Sequence, residues 1–169
     1  MIKFKLVNGK EGYEKTKEIR EKLLSLEKDI PYEYEKTDDE AIHIYGEYED
    51  RLICYARMYK SSEYTFSIDK IVVDTDFRKK YVADTIIRAF EDRAVALGVG
   101  LIKSKVSEGA WEFFEHEGYE CVGDVFEENK VLYKLMKRDL TKIRGCKGGC
   151  HKWVLLLQTE WDLRALVML

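Results

Sequence analysis

Three short stretches of this 169-residue chain hold side chains of the kind that do chemistry. Arg78, Lys79 and Lys80 follow the apolar run Ile71-Val72-Val73 and lead into a helical pattern. A helix start behind a tight turn offers unpaired N–H groups and the positive end of the helix dipole, so this junction reads as an anion site or, more plainly, as a solvated basic turn. His43 carries the side chain whose ordinary pKa lies nearest neutrality, in a position that suits either proton transfer or a hydrogen-bonded strand histidine. His116, set among charges, reads as solvated. Cys146, Cys150 and His151 crowd three soft or borderline ligands into one glycine-rich turn. Zinc usually takes four such ligands and no fourth stands nearby, leaving three readings: a tail without metal, a zinc site completed from elsewhere, or a redox pair of thiols.

The elements that must position these residues follow from hydrophobic periodicity. Residues 2–7 alternate as a strand, and after Gly9 a helix is expected from Glu11 to Leu26 with Ile19, Leu23 and Leu26 on one face, closed by Pro31. Two strands around Ile42–Tyr45 and Leu52–Met58 turn near Glu49-Asp50 as an antiparallel hairpin. A strand from Tyr64 to Asp74 precedes a long helix bearing Val82, Ile86, Phe90, Ala94 and Leu97 and ending before Gly98. Leu101–Val106 reads as a strand, Ser107 as the cap of a short helix through Glu117, and Tyr119–Phe126 and Val131–Met136 as two last strands. Composition shifts after Leu140, so residues 1–138 are expected to form one domain and 139–169 a cysteine-bearing apolar tail.

Lys70-Ile71-Val72-Val73 running into Arg78–Ala83 resembles the strand and R-x-x-G-x-G/A cofactor loop of the GNAT acyltransferases. Ser107-x-x-Ala110-x-x-Phe113-Phe114-Glu115-His116-Glu117-Gly118-Tyr119 resembles the family's N-x-x-A-x-x-F-Y-E-x-x-G-F helix and turn. Upstream, Ile19-Arg20-Glu21, Ile30-Pro31 and Asp38-Asp39-Glu40-Ala41-Ile42-His43 are similar to the opening of the ElaA-type branch. The resemblance spans residues 1–138. It implies an α/β (α+β) fold: a mixed, mostly antiparallel twisted sheet flanked by helices, with central strands that splay.

What the resemblance implies about function is transfer of acetyl from acetyl-CoA to a primary amine by direct attack on the thioester. The coenzyme would meet strand residues Ile71, Val72 and Val73, the loop Arg78, Lys79, Lys80, Tyr81, Val82 and Ala83, and, at the thiol end, Ser107 and Phe114. An amide near Val72 would face the oxyanion, and Asp69 or His43 would take the proton, directly or through water. Asp69 reads otherwise as a surface carboxylate. Two positions depart from the pattern. Tyr81 stands where the loop's first glycine belongs, and a bulky side chain resists the positive φ that glycine adopts freely. Phe114 replaces a tyrosine that protonates the departing thiolate, an acid a thiol of pKa ~8.5 can do without at some cost in rate. Tyr133, where the ElaA-type branch often shows histidine, reads as packing. A non-catalytic binding module built on the same fold is the alternative, and a metal- or redox-responsive protein working through its cysteine tail is a further one.

Composition narrows the partners. A mixture of 46% hydrophobic and 36% charged residues with a formal net charge of −3 suits one folded domain and disfavours nucleic acid, which needs clustered cations. The acidic stretch Glu33–Asp50, with Lys36 its sole base, would favour a cationic acceptor such as a polyamine, aminosugar or basic peptide, or is simply solvated. No basic and apolar leader opens the sequence, and charges interrupt the apolar segment Trp153–Leu169, so a cytoplasmic protein without a membrane anchor is expected. Cys54 and Cys121 read as small buried hydrophobes. Apolar residues 153–157 and 163–169 should pack on a sheet edge or in a subunit contact, which leaves a homodimer open.

Overall fold

Alternating strand patterns and two amphipathic helices close into one layered unit. The computed structural model describes residues 1–26 and 32–145. Pro31, the tail ligands Cys146, Cys150 and His151, and the apolar segments after them lie outside the described residues. In chain order come β1 (Lys3–Asn8), α1 (Gly9–Ile19), β2 (Ile42–Tyr48), β3 (Arg51–Ser62), β4 (Thr65–Val73), α2 (Val82–Ala96), β5 (Leu101–Ser107), α3 (Trp111–His116), β6 (Glu120–Glu128) and β7 (Val131–Asp139). The strands form one sheet in the order β1-β2-β3-β4-β5-β7-β6. Every pairing is antiparallel except β4 with β5, where the α2 crossover returns the chain in the same direction. The mixed, mostly antiparallel sheet flanked by helices is the architecture expected.

The two faces of the sheet are covered by different helices. Val82, Ile86, Ile87, Phe90 and Ala94 of α2 pack into a large core with Cys54, Ala56, Met58 and Ile68. On the opposite face Ile19, Leu23 and Leu24 pack against Tyr55 and Val72, since successive strand residues point to opposite sides. The first helix departs from expectation here. It continues past Ile19 as a π-helical turn, Arg20–Leu24, whose extra residue per turn rotates the following side chains. Leu24 is fully buried and Leu26 is 75% exposed, against the expectation that Leu26 shares the buried face. Arg20 is fully buried as well.

Other details of the sequence reading change as well. Ser107 ends β5 and precedes a short 3₁₀ turn, but its side chain makes no cap hydrogen bond. Cys54 is buried as expected, whereas Cys121 is exposed because β6 is an edge strand open on both faces. Leu97 lies beyond the end of α2 and is largely exposed. β7 runs to Asp139, and Leu140 is fully buried with its N–H on the Gly100 carbonyl, so the packed unit reaches past residue 138.

Candidate functional site

The sheet opens at its centre. β4 and β5 share only three rungs, Thr65 with Leu101, Phe66 with Ile102 and Ser67 with Lys103. Beyond them β4 runs on to Val73 and β5 to Ser107 unpaired to one another, so the two strands diverge around a cleft. One residue past the last rung, the Ser104 hydroxyl donates to the Ile68 carbonyl at 2.9 Å and closes the apex. On its other side β4 stays paired to β3, with one extra residue inserted between the Arg57–Asp69 and Tyr55–Val72 rungs. Lys70 lies in that bulge with φ +54°.

The open end of the cleft meets the loop that leads into α2. Asp74 caps a 3₁₀ turn, Thr75–Phe77, by accepting from the Asp76 N–H at 3.1 Å. Arg78 then folds back so that its Nε donates to the Val73 carbonyl at 3.1 Å, bracing the loop against the strand it leaves. Lys79 and Tyr81 both take left-handed conformations, with φ +58° and +59°. Tyr81 thus adopts the backbone that its size was expected to resist. It does so because its side chain, 78% exposed, projects into solvent, leaving only the intrinsic αL cost of roughly 1–2 kcal/mol. The loop keeps the shape a glycine would give it. Among the described residues no backbone hydrogen bond outside the helix itself takes up the N–H groups at the start of α2, where the positive dipole end would favour an anion.

A buried charge network lies on the α1 face beside the bulge. Asp38, fully buried, accepts from Arg20 Nη1 at 2.8 Å, Arg57 Nη1 at 2.9 Å and the Glu35 N–H at 2.8 Å. Arg57 grips Asp69 with Nε at 2.9 Å and Nη2 at 2.6 Å, and its Nη2 also meets Glu35 Oε2 at 2.7 Å. Lys70 Nζ reaches the same Glu35 oxygen at 2.8 Å. Three cations and three carboxylates balance. Burial by itself would raise the Asp38 carboxyl, but hydrogen bonds from Arg20, the Glu35 N–H and Arg57 hold it below its ordinary range. Glu35 is likewise held low, Lys70 and Arg57 outweighing its partial burial. Burial depresses the Lys70 ammonium in spite of Glu35.

The network settles where the sequence candidates stand. His43 is fully buried, with Nδ1 2.9 Å from the Tyr55 hydroxyl, and its ring fills space that a side chain at Gly12 would overlap. Burial pushes it down to about 4, so it is neutral near pH 7 and sits within the packing, out of reach of solvent. The placement corrects the picture of a histidine facing an acceptor. Asp69 is not a free surface carboxylate either: about a third of its side chain is exposed and both oxygens are held by Arg57. Of the acidic residues in 33–50, Glu35 and Asp38 spend their charge on internal partners, and Asp39 accepts from the Tyr34 hydroxyl at 2.8 Å. Phe114 is buried edge-on between Phe113 and Tyr119, at centroid distances of 5.4 and 5.1 Å. Tyr133 stacks on Phe126, and His116 is exposed.

Sequence reasoning gave no role to Arg20, Arg57, Lys70 or Ser104. One signal was legible: Arg57 interrupts the alternation Cys54, Ala56, Met58 from the opposite face of a central strand, where an arginine must find buried carboxylates. A second, partly buried ion pair joins α2 to the far end of the sheet. Glu91 Oε1 lies 2.9 Å from Arg138 Nε, and the guanidinium lies over Gly118, in space that a Cβ there would fill. Among the described residues no group of three or more His, Cys, Asp and Glu is arranged to hold a metal, and no helix is long and apolar enough to cross a membrane.

Comparison with known proteins identifies the family and agrees with the fold. The model of the acetyltransferase (GNAT) domain family matches residues 10–140. No curated protein matches the sequence. Among solved structures, Escherichia coli ElaA superposes with a TM-score of 0.71 at 19% identity, over 82% of this chain and 100% of that one. An acyl-CoA N-acyltransferase from Pseudomonas aeruginosa gives 0.70 at 14% identity over 82% and 99%. An aminoglycoside 6′-N-acetyltransferase complexed with coenzyme A gives 0.64 at 16% identity over 80% and 97%. At such identities the likeness is one of fold.

Proposed function

The chain belongs to the GNAT acetyltransferase family, and from that premise we propose that it transfers an acyl group, acetyl in the simplest case, from acyl-coenzyme A to a primary amine. One observation carries the reading: β4 and β5 part after three rungs, and β4 runs directly into a basic loop, left-handed at Lys79 and Tyr81, that opens helix α2. Phosphates would bind along Arg78–Ala83, with Lys79 and Lys80 adding charge and Val82 and Ala83 opening the helix. The pantetheine arm would lie along Ile71, Val72 and Val73. Ser107 and Phe114 would flank the thiol end, Phe114 as a packed wall.

In the proposed reaction the amine nitrogen attacks the thioester carbonyl, the oxyanion forms near the Val72 N–H, and the carbon–sulfur bond then breaks to release CoA thiolate. Phe114 has no hydroxyl to give, so the thiolate takes its proton from solvent or leaves charged. Of the two candidate bases Asp69 is retained. About a third of its side chain stays exposed beyond Arg57, so it can take the acceptor ammonium's proton, directly or through water, and free the amine lone pair for attack, whereas buried His43 bonds Tyr55 within the packing. The acceptor would be a small-molecule or peptide amine. The internal pairing of Glu35, Asp38 and Asp69 weakens the case for a strongly cationic one.

Isothermal titration of acetyl-CoA tests the reading, with free CoA and Tyr81→Gly alongside. Micromolar binding to the wild type is expected, with Tyr81→Gly within about threefold because the loop already holds the glycine-like conformation. An amine screen for free-thiol release follows. Binding without turnover of any amine would favour a binding module on the same fold, and absence of binding to both proteins would overturn the cofactor site.

A further inference from the structure

One rung of the sheet carries polar side chains across five strands on a single face. Tyr59 on β3 pairs with Ser67 on β4, Ser67 with Lys103 on β5, Lys103 with Lys137 on β7 and Lys137 with Glu120 on β6. The residues next to these along the strands, Met58, Ile68, Ile102 and Met136, are buried in the α2 core, so alternation turns the polar rung to the α1 side. There the core of Ile19, Leu23, Leu24, Tyr55 and Val72 takes in no residue of β5, β6 or β7. All five residues of the rung keep some exposure to solvent.

The charges along the rung are unbalanced. Lys103 and Lys137 stand opposite one another on neighbouring strands, where like charges repel. Among the described residues neither forms an ion pair, whereas Lys105 and Lys134 close by are paired with Glu128 at 2.9 Å and Glu115 at 3.0 Å. Asp139, the next acid along that face of β7, is taken up by Thr141 and Lys142. Glu120 stands across from Lys137 at the sheet edge, which leaves Lys103 between a hydroxyl and a second ammonium. Two cations and one carboxylate suit a singly charged carboxylate as ligand better than a phosphate dianion.

The rung also lies at a set distance from Asp69. That residue follows Ser67 by two along β4 and shares its face, a step of roughly 7 Å. We propose that Lys103, flanked by the Ser67 hydroxyl and the Lys137 ammonium, is a specificity-determining residue that receives a carboxylate carried by the amine acceptor and so leaves the amine beside Asp69. The identity of the ligand as acceptor rests on the proposed acyltransferase reading, while the carboxylate site rests on the rung itself. Lys103 touches no reacting atom.

NMR titration of the purified full chain, with and without CoA, compares three amines of one length: 6-aminohexanoate, hexylamine and 1,6-diaminohexane. The nitrogen and carboxylate carbon of the first lie about six bonds apart, roughly 7.5 Å when extended. The wild type should bind 6-aminohexanoate at least tenfold more tightly than either of the others. Lys103→Ala should narrow that gap to under threefold, and Lys103→Glu should reverse it in favour of the diamine, a change of sign that lost folding would not produce. Equal binding of the three amines by the wild type, or an unchanged preference in Lys103→Glu, would overturn the assignment. Turnover separates the two levels. Release of free thiol from acetyl-CoA with all three amines at equal kcat/KM removes the carboxylate site and keeps the acyltransferase, whereas carboxylate-selective binding without turnover of any amine removes the acyltransferase and keeps the site.

Discussion

Two ionic clusters, one around fully buried Asp38 and one around partly buried Glu91, titrate in opposite directions. Around Asp38 three carboxylates meet Arg20, Arg57 and Lys70, and burial is outweighed by close cations, so Asp38 and Glu35 are held low. Around Glu91 a single guanidinium, Arg138, faces Glu91, with Glu117 and Asp92 adding negative charge and the Tyr119 hydroxyl near. Burial wins there, and the Glu91 carboxyl is pushed up to about 7. Desolvation acts on both clusters, and the number of cations within reach decides the sign.

The largest expected effect comes from breaking the balanced cluster at its centre. Asp38→Ala strands Arg20 and part of Arg57 in a fully buried site, and unfolding by urea at pH 7 should show a loss of about 3–5 kcal/mol. A loss below ~1 kcal/mol would mean the arginines find other partners at little cost.

His43 comes next. Its folded pKa, about 4, lies below its ordinary 6.5, so the unfolded chain binds more protons between those values. The stability it contributes is complete above pH 6.5 and is lost as pH falls towards 4, by an amount on the order of 3 kcal/mol. Glu91 runs the other way. With a folded pKa of about 7 against an ordinary 4.5, its contribution is complete below pH 4.5 and is lost as pH rises towards 7, again on the order of 3 kcal/mol. The two slopes oppose each other between pH 4.5 and 6.5. His43→Gln should uncover stability that falls with rising pH in that window, and Glu91→Gln stability that rises with it. Midpoints of thermal unfolding across the window read both, and parallel curves for the two variants would refute the comparison.

Much of this fold was legible in the sequence because its signals are local. Period-two alternation marks the strands, the spacing of Val82, Ile86, Phe90 and Ala94 marks α2, and the run from Ile71 to Ala83 marks the strand, loop and helix start where an anion could bind. The burial of Leu24 in place of Leu26 was not legible: both lie near the margin of the helix's apolar face, and packing of Leu24 against Tyr55 and Val72 decides between them. Tyr81 misled for a related reason. A residue's size argues against a positive φ, but the cost is modest where the side chain is free to leave the surface.

The candidate bases show the limit most clearly. His43 and Asp69 were recognisable as titratable side chains on strands, but their chemistry is set by Tyr55 and Arg57, twelve residues away along the chain and adjacent across the sheet. The sequence by itself determined the order of elements, the family pattern and the basic turn, since each depends on neighbours within a few residues. Only the tertiary structure decided which charges are spent on one another, where β4 and β5 part, and that Ser104 closes the gap. Those outcomes depend on pairing between strands far apart in sequence, and burial there decides whether a charge or a hydroxyl faces solvent, a partner or a cleft.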